Sequence, residues 1–142
     1  MLDFVNIVKG VAGFIGFYIG FVVGPVNGLF IALCIFMVLD YLTGVTSAII
    51  SKTLDSEIGF RGLARKVFIL VLVGVAHLID AYVIGGTDAA RNTVICWYLA
   101  NEGISIIENA ARIGLPVPAK LRAILEQLKE DGDNGSTNNN NG

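Results

Sequence analysis

The chain has 142 residues, 54% of them hydrophobic and 15% charged, with a net charge of −2 and a mean hydropathy of +0.70. A soluble domain carries about 25% charged residues, and a chain this short has too little interior to hide so much apolar surface from water. The bilayer is the better solvent, and with no basic groove interleaved with aromatics the sequence excludes a nucleic-acid partner.

The first apolar segment, 4–24, is interrupted by Asn6 and Lys9. It does not read as a cleaved signal peptide, because Asp3 precedes its only Lys and no convincing small-residue cleavage site follows. Gly10, Gly13, Gly16, Gly20 and Gly24 fall within about a third of the helix circumference, and the last three make two overlapping GxxxG spacings. Such a groove admits another backbone closely, so Gly13, Gly16, Gly20 and Gly24, with Gly44 further on, are candidate helix-packing positions. Gly24, Pro25, Asn27 and Gly28 form a tight turn into a second segment, 28–50.

The stretch 51–66 mixes Lys52, Asp55, Glu57, Arg61, Arg65 and Lys66 and reads as a solvated loop touching anionic headgroups. A third segment follows at 67–84, a Gly-Gly-Thr-Asp turn at 85–88, and a fourth segment at 93–111. Each approaches the ~20 residues needed to cross ~30 Å of hydrocarbon. If the chain starts inside and crosses four times, every Lys and Arg except Arg91 lies on the inner side, a strong positive-inside pattern. A three-crossing chain with 4–24 lying in the interface is the competing topology.

Gly114, Pro116 and Pro118 end the fourth helix. Residues 118–129 then place Leu121, Ile124, Leu125 and Leu128 on one face, a short amphipathic helix suited to the membrane surface or a partner helix. The polar stretch 131–142 has nothing to bury and is expected to be disordered. The expectation is an all-α, polytopic membrane bundle with four transmembrane helices and a C-terminal amphipathic helix. Residues 1–130 form its single domain, 131–142 its tail, and both termini are cytoplasmic.

Catalysis finds no support. The chain has one histidine and no nucleophile–base pair at a loop mouth, and it lacks a phosphate-cradling glycine loop. His77 and Asp80 at i, i+3 supply two metal ligands, which do not make a site. Neither an enzyme nor a cofactor is expected, and Cys34 and Cys96 read as packed thiols.

Polar residues inside the apolar segments carry the information. Asp40, Thr43, Gly44 and Ser47 share one face of the second segment; His77 and Asp80 lie in the third; Asn101, Glu102, Ser105, Glu108, Asn109 and Arg112 stripe the fourth. A carboxylate at mid-bilayer costs roughly 2.5 to 3.5 kcal/mol on insertion scales and faces the bundle interior or water. Asp40, His77 and Glu102 are expected at similar depth. Asp40, Thr43, Ser47, His77, Asp80, Asn101, Glu102, Ser105 and Glu108 are therefore candidate interhelix or lumen-lining positions. From the residues alone, interhelical hydrogen bonding and an aqueous path both remain open.

Five blocks, in order, resemble the toxin-secretion/phage-lysis holin family: 39–44 (LDYLTG), 56–66 (SEIGFRGLARK), 76–80 (AHLID), 101–109 (NEGISIIEN) and 114–118 (GLPVP). The resemblance covers about 29–128 and leaves out the glycine-rich first segment and the Asn-rich tail. It implies a small bacteriophage protein, or a clostridial export relative, that accumulates in the bacterial host's cytoplasmic membrane. There it would self-assemble into lesions through which a wall-degrading endolysin escapes, without requiring direct contact with that enzyme. The alternatives are a small ion or proton channel, with a ring of carboxylates as selectivity element, and an antiholin.

Overall fold

A computed structural model describes residues 2–137 as five helices: α1 (Leu2–Val23), α2 (Gly28–Ile50), α3 (Ser56–Ile79), α4 (Ala89–Arg112) and α5 (Ala119–Thr137). A π-helical turn, Asp80–Ile84, extends α3. Local chemistry sets the boundaries. Gly24, at φ 85°, closes α1 in the left-handed region that glycine enters freely. The Asn27 side chain then accepts the Phe30 N–H at 3.0 Å and caps α2. Asp55 caps α3 by accepting the Glu57 N–H at 2.9 Å, and Gly114, at φ 84°, turns the chain out of α4.

The helices pack with alternating direction. Phe30 and Asp40 of α2 meet Arg91 and Asn109 of α4 respectively, so those two helices run the same way. Lys66 and Asp80 of α3 meet Glu102 and Arg91, so α3 runs opposite to both. Leu33 and Met37, Ile69 and Val73, and Ile95 build the core between them, with Val23 from the end of α1. Helix α1 touches the bundle only through its last turn, where Val22 packs on Gly74 and Gly24 on His77. Residues 3–21 of α1 are exposed, including Phe4, Phe14 and Phe17.

Three stretches of the described residues are long and apolar enough to cross a membrane: Asp3–Val23, Gly28–Ile50 and Ser56–Ile84. Helix α4, at 24 residues, reaches about 36 Å, but its polar stripe keeps it out of that set. Four apolar spans were expected and three are found.

Two further expectations need correction. The third helix starts at Ser56, not at 67, so most of the supposed solvated loop is helical. Its charges cluster without breaking the helix because Asp55 caps it and Glu57 pairs with Arg61 one turn on, at 2.6 Å. The supposed disordered tail is helical as far as Thr137; residues 138–142 lie outside the described residues. Helix α5 folds back along α4, with Leu125 beside Gly103, Gly132 against Trp97, and the Trp97 Nε1–H donating to Asp133 Oδ1 at 2.8 Å. That docking extends the helix beyond what its own composition supports.

Candidate functional site: a lysine bridging two carboxylates of different helices

Asp40 and Glu102 lie on different helices but share one partner. The Lys66 ammonium donates to Asp40 Oδ2 at 2.7 Å and to Glu102 Oε2. All three side chains are largely withdrawn from solvent, Glu102 being 3% exposed. Asn109 completes the group: its Nδ2 donates to Asp40 Oδ1 at 3.3 Å and to Thr43 Oγ1 at 3.1 Å. Thr43 in turn donates to the Asp40 carbonyl, 3.1 Å away. Two carboxylates share one ammonium, so with both ionised the cluster carries one excess negative charge.

This arrangement follows from periodicity. Asp40 and Thr43 are one helical turn apart and present one polar face to α4. Glu102 and Asn109, seven residues apart, present the matching face, and Lys66 arrives from the antiparallel α3. Lys66 was expected to be solvated; it is instead the centre of the cluster. The signal that reveals it is in the sequence, in the Asp55 cap and the Glu57–Arg61 spacing that make 56–66 helical.

Beside the cluster, at the end where α2 stops, α3 starts and α4 stops, opens a cavity of about 450 Å³. Asp40, Ser47, Lys66, Ser105 and Asn109 contribute to its wall. Ser47 is buried and Ser105 half-buried, whereas Glu108 is exposed. The Asn101 Nδ2 bonds back to the Trp97 carbonyl of its own helix, at 2.8 Å. Gly44 faces Asn109, 3.5 Å from the point where a Cβ would stand. Gly13, Gly16 and Gly20 face open space and pack on nothing within the described chain. Gly24 belongs to the turn, where an added Cβ would lie 2.5 Å from His77 Nδ1.

His77 does not join the Asp40–Glu102 layer. It lies three turns beyond Lys66, about 16 Å along the axis, and its nearest acid is Asp88, at 3.9 Å. The expected common depth fails because α3 begins eleven residues before 67, which moves its midpoint away from His77. Asp80 also has a distinct position. It is fully buried, and its carboxylate accepts the Ala90 and Arg91 N–H groups at 3.1 and 2.8 Å. Asp88, the residue at the N-cap of α4, makes no side-chain cap bond. Asp80 therefore caps a helix other than its own, placing negative charge at the positive end of the α4 dipole.

Arg91, read from sequence only as the lone outer cation, is fully buried. Its Nε donates to the Val23 carbonyl at 2.8 Å and its Nη2 to the Pro25 carbonyl at 2.7 Å, and its guanidinium lies 5.6 Å from the centre of the Phe30 ring. It thereby ties the α1–α2 turn to α4. No sequence pattern announces this, because the acceptors are main-chain atoms more than sixty residues away. Cys34 and Cys96 are free and half-buried. No group of three or more His, Cys, Asp or Glu side chains able to hold a metal ion occurs among the described residues.

The sequence matches the bacteriophage holin family over residues 17–130. It is 40% identical over 128 residues to an uncharacterized 14.9 kDa protein from the nagH 3′ region of Clostridium perfringens, covering 90% of this chain and 97% of that one. An uncharacterized protein of Listeria monocytogenes is 41% identical over 116 residues, 82% of this chain and 81% of its own. A probable holin of Bacillus phage phi105 is 34% identical over 96 residues, 68% of this chain and 70% of the phage protein. No solved structure matches. The match spans the Asp40–Lys66–Glu102 cluster, the Asp80–Arg91 staple and most of α5, and together with the three apolar helices it marks a non-enzymatic membrane protein: the chain belongs to the bacteriophage holin family.

Proposed function

We propose that this chain is a holin. It accumulates in a bacterial cytoplasmic membrane, self-associates, and opens lesions that release an endolysin it need not touch. The observation that carries the reading, beyond family membership, is the charged cluster at the middle of the apolar bundle. Removing one partner of a buried ion pair costs about 3–5 kcal/mol, while the intact pair gives little net stability. A cluster of that kind is poised between a dry, paired arrangement and a wetted, separated one. A protein that must stay harmless and then permeabilise abruptly needs such a two-state element.

The alternating directions of α2, α3 and α4 support a four-crossing chain with its N-terminus inside, α4 crossing as a helix shielded from lipid rather than as an apolar span. Helix α5 runs back along α4 as far as Trp97, so where α4 crosses, the end of α5 is carried toward the outer side and the expected cytoplasmic C-terminus is not supported. The helix carries Lys120, Arg122, Glu126, Lys129, Glu130, Asp131 and Asp133 along the flank of α4. Those charges are too costly to place in hydrocarbon, so the α4–α5 side of the bundle faces water, and in an oligomer it faces the lumen. The face of α1 carrying Gly13, Gly16 and Gly20, which packs on nothing among the described residues, is available for contact between copies. The membrane potential supplies a trigger, since a charge crossing it contributes about 2.3 kcal/mol per 100 mV.

Inducible expression in a bacterium that also makes a cytoplasmic muralytic enzyme tests the reading. A holin gives a delayed, sudden loss of potential followed by release of the folded enzyme and lysis. Ion leakage without enzyme release makes the protein a channel, and delay of a co-expressed holin makes it an antiholin.

A further inference from the structure

We propose that the cavity beside the charged cluster binds the phosphate group of an anionic phospholipid, one diester headgroup held between α3 and α4. The cavity, of about 450 Å³, is lined by the cations Arg65, Lys66 and Arg112 and by the apolar Val45, Leu54 and Ile58, among others. Its volume falls in the range of small-molecule sites, about 300–1,000 Å³.

Charge assignment selects an anion. The wall includes two acids, Asp40 and Asp55, but both are already engaged. Asp40 is held by Lys66 at 2.7 Å and by Asn109 at 3.3 Å, and Asp55 accepts the Glu57 N–H at the positive end of α3. The Lys66 ammonium is likewise committed to Asp40 and Glu102. Arg65 and Arg112 remain. They come from different helices, border one cavity, and make no ion pair among the described residues. A guanidinium presents a planar fork of donors that matches phosphate oxygens. Ser51 and Thr53, in the α2–α3 turn, add hydroxyls to the same rim.

Position selects a lipid. The cavity reaches from Asp40 and Lys66 out to Ser51, Thr53 and Asp55, at the end of two helices that are long and apolar enough to span, which is where headgroups lie, and its apolar lining offers a path for an acyl chain. An inorganic phosphate ion shares the headgroup's chemistry but has no use for that lining. The inference rests only on α2 and α3 residing in the membrane; it requires neither lesion formation nor an oligomer.

The full-length protein in phosphatidylcholine nanodiscs doped with phosphatidylglycerol or with phosphatidylethanolamine provides the test, with retained lipid read by native mass spectrometry. Phosphatidylglycerol is expected to be retained several-fold over phosphatidylethanolamine. Arg65→Gln with Arg112→Gln should abolish that preference, whereas Arg65→Lys with Arg112→Lys should keep part of it. Ala48→Phe, which fills the cavity without altering charge, should abolish it as well, with circular dichroism confirming that each variant is helical. Inorganic phosphate that binds in place of phosphatidylglycerol would keep the anion site and assign it to the free ion. Equal retention of the two lipids by the unaltered protein, or a preference that survives both Arg65→Gln/Arg112→Gln and Ala48→Phe, overturns the proposal. Lysis timing does not enter this readout, so its outcome stands apart from the holin reading.

Discussion

Lys66 holds two carboxylates that would otherwise face each other across the α2–α4 interface. Replacing it with Met takes the counter-charge from both acids, leaving Glu102 buried without it and Asp40 with only the Asn109 amide, which is expected to destabilise the packed state by about 3–5 kcal/mol. Resistance to thermal unfolding, followed by circular dichroism in detergent, checks this. Loss of stability should shrink when Lys66→Met is combined with Asp40→Asn, because the two changes remove the same interaction. Gly24 gives a second prediction at this scale. Its φ of 85° disfavours any L side chain, and a Cβ there would strike the His77 ring. Gly24→Ala is expected to destabilise by about 1–3 kcal/mol, read by the same melt, whereas Gly13→Ala, facing open space, should leave it unchanged within about 0.5 kcal/mol.

Among the elements, α5 is the one whose position departs most from its sequence. Its apolar face was legible from Leu121, Ile124, Leu125 and Leu128, but not what that face would meet. Gly103, too small to fill its own place on α4, makes the recess that Leu125 enters. Pairing of that kind depends on helix approach, which no single-helix pattern encodes. A Cβ at Gly132 would lie 3.2 Å from the Trp97 Cβ, a few tenths of an ångström inside the roughly 3.5–4.5 Å that a disulfide bridges. In a background lacking Cys34 and Cys96, Trp97→Cys with Gly132→Cys should therefore cross-link on oxidation, read as a mobility shift without reductant. If α5 must leave α4 before a lesion forms, the oxidised protein will delay lysis and added reductant will restore it.

For the whole molecule, the sequence specified the polar faces of α2 and α4 and the turns at Gly24 and Gly114, all of them governed by local spacing. It misplaced Lys66, because charge density outweighed the Asp55 cap, and that error put His77 in the wrong layer. Arg91 was out of reach, since its acceptors become neighbours only once α1, α2 and α4 have packed. The alternating helix directions carry a topological prediction. Single cysteines replacing Lys52 and Lys120 should be labelled from the cytoplasmic side, and those replacing Val26 and Thr87 from the outside. Labelling of Thr87→Cys and Lys120→Cys from one side would leave α4 outside the membrane.

The central claim is that the Lys66-bridged acids set the threshold between harmless and open states, and lysis onset measures it most directly. Lysis should be timed for Lys66→Met and Glu102→Gln, each verified in the membrane fraction at unaltered abundance. Lys66→Met leaves two like charges together and should advance lysis. Glu102→Gln leaves Lys66 and Asp40 as a balanced pair and should delay it. Both variants lysing on the unaltered schedule would reduce the cluster to interhelical glue and contradict the claim.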